Sequence, residues 1–204
     1  MNKPELKSWR HLIEKIIDKE YQLFNQVKNK GGRAECQDQK TTFYSMRNAQ
    51  FASWNQESCE SYWQDLLHAE EEGRNLLAEK YGYMMEDTFP EEYIKIKEKL
   101  PEVSEEKMVL IRQILEIYLR QTDDFMEKYP AFRKRSRRVH KQRGQRAASI
   151  ETYLEGELKT YSKRTLSYLL LWIREEEKQG RSTVERLYEN MILNAGYESF
   201  REVQ

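Results

Sequence analysis

Two cysteines in 204 residues, Cys36 and Cys59, are too few for a disulfide framework and lack the paired spacing of a zinc site. Reduced thiols in a cytoplasmic protein fit this usage. Three histidines exclude a two-metal helical bundle, which needs two Glu-x-x-His motifs beside further carboxylates. Only Asp65-Leu66-Leu67-His68 approximates that motif, and the face Asp65, His68, Glu72, Asn75 and Glu79 is expected to be a solvated one, so no metal site is assigned. Long apolar runs are missing too. The longest cluster, Tyr168 to Ile173, falls far below the roughly 18 residues of a membrane span. The first residues, Met-Asn-Lys-Pro-Glu-Leu-Lys, have no apolar core of a secretion signal. An excess of one charge is also absent, with 35 basic and 35 acidic residues, which removes any global pull towards nucleic acid or membrane.

What is present is charge and aromatic area together. Mean hydropathy is −0.96, yet 12% of residues are Phe, Trp or Tyr, more than disordered chains carry. Long amphipathic helices reconcile the two. The four prolines, at 4, 90, 101 and 130, fall where helices start or stop. Apolar residues at helical spacing predict a first helix from about Glu5 to Asn29, with Leu6, Trp9, Ile13, Ile16, Ile17, Leu23, Phe24 and Val27 inside. A turn at Gly31-Gly32 follows, then a helix from Lys40 carrying Phe43, Met46, Phe51 and Trp54. Further helices are predicted over 58–85, from a Thr88 cap to Leu100, from a Ser104 cap to an end before Pro130, over 150–161 or on to 178, and over 182–194. No strict alternation and no internal repeat occurs. The fold class is therefore all-α, a single compact bundle of about six to eight helices over 1–204, with an irregular basic connecting loop at 131–148.

Several polar residues fall on faces that should be apolar. Glu20 shares the face of Ile16, Ile17, Leu23 and Phe24. Arg47 and Gln50 share that of Phe43, Phe51 and Trp54, and Glu157 lies among Tyr153, Leu154, Leu158 and Tyr161. A buried charge without a partner costs several kcal/mol, on the order of 3–5, so these residues are paired or line a wet cavity. Two readings stay open: a structural ion pair such as Glu20 with Arg47, or an interior polar pocket. In the second, Arg33 and Arg47 hold a small anionic ligand, with Glu20, Gln50, Trp54 and Tyr161 lining it. Glu157 or His140 would serve as acid or base, and Cys36, after a glycine turn, is a candidate nucleophile with His140 as its base. The run Arg133, Lys134, Arg135, Arg137, Arg138, Lys141, Arg143, Arg146 has no interleaved aromatics, so nucleic-acid binding ranks below a ligand pocket or a protein-interaction module.

The block Gly31-Gly32-Arg33-Ala34-Glu35-Cys36-Gln37-Asp38, then Met46-Arg47-Asn48-Ala49-Gln50-Phe51-Ala52-Ser53-Trp54, resembles a bacterial domain-of-unknown-function family, number 4125. Asn75 to Tyr81, Met84-Met85, Glu151 to Leu158 and Thr160-Tyr161-Ser162 extend the likeness from about Glu20 to Tyr197. The resemblance implies an all-helical bacterial protein without an established activity or cofactor. It also implies that the turn cysteine and the histidine at 140 belong to the shared pattern. The dense basic run and His68 depart from that pattern.

Overall fold

A computed structural model describes residues 3–28, 32–142 and 144–203, with side chains from Lys7 onward. The side chain of Leu6, the expected helix end at Asn29, Gly31 of the glycine turn and Arg143 of the basic run lie outside the described residues.

The described residues form ten α-helices and no strand. They are α1 (Lys3–Gln26), α2 (Lys40–Ala52), α3 (Gln56–Glu71), α4 (Leu76–Thr88), α5 (Pro90–Ile96), α6 (Glu105–Lys128), α7 (Pro130–Arg135), α8 (Ile150–Thr160), α9 (Lys163–Lys178) and α10 (Thr183–Asn194). Short 3₁₀ turns occupy Glu35–Asp38, Lys97–Lys99 and Phe200–Val203.

The count exceeds the six to eight expected because polar caps cut runs that periodicity alone leaves continuous. The predicted helix over 58–85 is two helices: Gly73 adopts φ 68°, and the Asn75 side chain accepts from Ala78 N–H to open α4. The stretch 150–178 likewise divides where Ser162 accepts from Thr165 N–H at the start of α9. Thr88 is not a cap. It is the last residue of α4, its hydroxyl donating to the Met84 carbonyl at 3.0 Å, and Pro90 begins α5. The basic segment 131–148 also departs from expectation, since α7 occupies its first turn.

Two apolar clusters organise the helices. The larger joins Ile13, Ile16 and Ile17 of α1, Leu66 of α3, Leu76 of α4, Ile111 and Ile114 of α6, Leu158 of α8 and Leu166 of α9. The smaller is aromatic, with Phe125 stacked on Tyr188 at 4.2 Å between ring centroids and Phe200 covering both Phe125 and Tyr129. Tyr118 and Leu119 touch both clusters. No helix among the described residues is long and apolar enough to cross a membrane.

One close approach sets the position of α8. At Gly156, a Cβ would stand 2.7 Å from Met84 Cγ and 3.0 Å from the Lys80 carbonyl, so α4 and α8 cross almost backbone to backbone. Gly156→Val should therefore lower stability by about 1–3 kcal/mol through overpacking. Urea unfolding measures this, and an unchanged midpoint would mean the crossing is looser than described.

Candidate functional site

Glu20 projects from α1 on the stripe that carries Ile16, Ile17 and Phe24, and none of its surface is exposed. Arg47 of α2 meets it: Nε donates to Oε2 at 2.6 Å and Nη2 to Oε1 at 2.5 Å. The remaining nitrogen of Arg47, Nη1, donates to Glu157 of α8 at 3.0 and 3.2 Å and to the Gln50 amide oxygen at 2.7 Å. Gln50 returns its own Nε2 to Glu157 at 2.7 Å. Tyr62 of α3 donates to Glu20 at 2.7 Å, and Tyr161, at the end of α8, donates to Glu157 at 2.6 Å. Lys80 of α4 completes the set, its Nζ 2.5 Å from Glu157 and 3.9 Å from the centroid of the Tyr153 ring. Trp54 walls the group by packing against Phe51, Tyr62 and Tyr161, with centroids 5.2, 6.1 and 5.8 Å apart.

Two carboxylates thus face two cations inside the bundle, with no formal charge left over. Burial opposes ionisation of Glu157, but the Arg47 and Lys80 charges, with hydrogen bonds from Lys80 and Tyr161, outweigh it and hold the carboxyl well below its ordinary range. Burial likewise opposes the charge on Arg47, and Glu157 and Glu20 more than restore it. Burial, reinforced by the neighbouring glutamate, pushes the Tyr62 and Tyr161 phenols well up, so both remain donors.

Of the residues singled out in the sequence, Glu20, Arg47, Gln50, Trp54, Glu157 and Tyr161 come together. Among the described residues, Cys36 and Arg33, in the 3₁₀ turn and its approach, share no hydrogen bond or ion pair with that group. Cys36 is exposed. Arg33 is largely engaged with the turn itself, donating from Nε to Asp38 at 2.7 Å and from Nη2 to Asn25 at 2.8 Å. His140 lies at the α6–α8 side, with Nε2 2.7 Å from Asp123 and Nδ1 3.8 Å from Glu151, and Cys36 is not among its partners. Cys59 is buried, and its thiol is pushed up to about 12 by burial.

The sequence reading passed over several residues. Lys80 shares a face with Leu76, Leu77 and Met84, the same signal that marked Glu20. Gln37 is 1% exposed and closes the α1 end, with Nε2 donating to the Phe24 and Val27 carbonyls and Oε1 accepting from Ala34 N–H. The face taken as solvated on α3 and α4 is only partly so. His68 is exposed, but Glu79 is buried and clasped by Arg74 at 2.8 Å on both oxygens, and Asp65 accepts from Ser162 N–H and the Thr165 hydroxyl. Among the described residues no group of three or more His, Cys, Asp or Glu is placed to hold a metal ion.

The fold and this centre define an all-helical protein built around a neutral buried salt cluster. Residues 10–204 match the family described as protein of unknown function (DUF4125), and the chain belongs to that family. No curated protein and no solved structure matches it.

Because the Glu157 carboxyl is held low in the folded state, its contribution to stability is present above the unfolded carboxylate range of about 4.3. It is lost as pH falls below that range, through the depressed folded value. Glu157→Gln should be less stable than the parent by about 3–5 kcal/mol at neutral pH, with the gap narrowing as the buffer is taken down in acid. Thermal melts of both proteins across that range test this, and a gap independent of pH would contradict it.

Proposed function

We propose that the chain is a single helical domain that binds a small anionic molecule at the solvent-facing side of the buried cluster, with Gln50 as the movable cover. The observation that carries this reading is the donor set around one carboxylate. Arg47 Nη1, Gln50 Nε2, Lys80 Nζ and the Tyr161 hydroxyl all converge on Glu157. An apolar core of similar volume would hold the helices as well or better, so buried cations from separate helices suggest a use beyond packing. Gln50 is half-buried while its neighbours are sealed. Its amide oxygen takes one Arg47 donor, and rotation of that side chain would free Nη1 for a ligand carboxylate or phosphate oxygen, the geometry Arg serves best.

Binding is favoured over catalysis. A carboxylate held ionised by two cations is a poor acid and a weak base, which removes Glu157 from proton transfer at neutral pH. His140 and Cys36 have separate surroundings. Among the described residues, two surface clefts, of about 700 Å³ around Tyr83, Tyr93, Leu100 and Lys159 and about 290 Å³ around Trp63, Gln64 and Tyr168, are lined by no residue of the cluster.

A second reading, a protein-interaction module in which the cluster is only a tie, is favoured by the same saturation of Arg47. Under it the contact surface would be apolar and exposed, for which Met46, Leu193 and Tyr197 qualify.

Thermal-shift titration with inorganic phosphate, citrate and glutarate separates the two. Occupancy at about 100 times Kd should add about 2.7 kcal/mol to stability, and Gln50→Ala, which removes the cover and leaves Arg47 Nη1 open, should preserve or enlarge the shift produced by whichever anion binds. A flat response to every anion, or a shift lost in Gln50→Ala, would overturn the ligand reading.

A further inference from the structure

The connection that follows α7 is pinned to its neighbours. Val139 is buried in the aromatic cluster. The N–H groups of Ile150 and Glu151 donate to the carbonyls of Arg138 and Val139 at 2.9 Å each, and Lys141 N–H donates to Glu151 at 2.8 Å. His140 pairs with Asp123, and Lys141 bridges Asp87 and Glu155. The segment is thus fastened to α4, α6 and α8.

Its other cations are left unneutralised. Among the described residues, Arg133, Lys134, Arg135, Arg137, Arg138 and Arg146 have no carboxylate partner. Arg135 donates to the Val203 carbonyl at 3.2 Å and Arg138 to that of Ala147. Arg137 lies 5.7 Å from the Tyr153 ring and Arg146 5.9 Å from the Phe89 ring. This contrasts with surface cations elsewhere, such as Lys19 with Glu70, Arg112 with Glu105, Arg120 with Glu177 and Lys128 with Glu185. From Pro130 to Ser149 there is no acidic residue, although the whole chain is neutral. An aromatic absent from the basic run in sequence is supplied in space by Phe89, 47% exposed.

We infer that this face binds the phosphate backbone of a single-stranded nucleic acid. Guanidinium forks match phosphate oxygens, and a pinned loop presents them without the entropy cost of ordering a free one. The exposed ring of Phe89 beside Arg146 is a stacking surface of the kind that sequence-tolerant single-strand binders use. A duplex is a poorer fit, because α7, six residues long, spans only about 9 Å and offers no recognition helix for a groove.

The test is fluorescence anisotropy of the full chain with labelled oligouridylate longer than a site of about 4–16 nucleotides. Affinity should fall about tenfold or more between about 50 and 200 mM salt. The combined change Arg133→Gln, Lys134→Gln and Arg137→Gln, all at exposed positions, should weaken low-salt binding about tenfold and make the salt slope shallower by about 2. No binding at the lowest salt, an unaffected triple variant, or tighter binding to duplex overturns the inference. So does equal competition by polyglutamate or by phosphatidylglycerol vesicles. None of these outcomes depends on Gln50, so the two sites fail or stand separately.

Discussion

The guanidinium of Arg47 is the point on which the rest of the molecule depends. It sits between carboxylates that the chain separates by 27 and 110 residues, binding Glu20 through Nε and Nη2 and Glu157 through Nη1. A planar fork can satisfy both only if α1, α2 and α8 stand in one relative register. Lys80 adds α4 to that requirement, and Tyr62 adds α3. Desolvating these ions is costly, and the attraction offsets the cost only because every charge finds its partner at close range. The arrangement therefore contributes more to which packing is adopted than to how tightly the helices hold.

The surroundings follow from that constraint. Phe51 lies 4.7 Å beneath the guanidinium, and Trp54, Tyr62 and Tyr161 form an aromatic wall that excludes water and keeps the local dielectric low. Gly156 lets α8 approach α4 closely enough for Lys80 to meet Glu157. Gln37 closes the end of α1, and Tyr21 donates to its carbonyl at 3.2 Å, so the glycine-rich block is tied to the helix that supplies Glu20. The unusual residues of that block thereby have a structural purpose that helical patterning alone does not explain.

The helical class and the interior position of Glu20, Arg47, Gln50 and Glu157 were legible because a charge on an apolar stripe breaks a pattern of period 3.6. Their convergence was not legible, since spacing within one helix says nothing about which faces meet. Lys80 carried the same signal and was missed beside the tyrosines that follow it. Glu176 was missed likewise: it continues the Leu169 and Ile173 face of α9, has no exposed surface, and is held by Arg181 and Arg186. Helix boundaries failed where a side-chain cap decided them, as at Asn75 and Ser162, because a serine or asparagine reads as an ordinary polar residue until its backbone partner is known. The anchoring of the basic segment was not legible, because its partners, Asp87, Asp123, Glu151 and Glu155, come from other parts of the chain.

Charge is thus used in two opposite ways in one neutral chain: balanced and sealed at the centre, unbalanced and displayed beside α7. At the centre, Arg47 and Glu157 act as one coupled unit. A double-mutant cycle with Arg47→Met and Glu157→Met, read by urea unfolding, tests it most directly. The double variant should be less destabilised than the sum of the single ones, by about 2 kcal/mol or more. Single effects that add to within about 0.5 kcal/mol would contradict it.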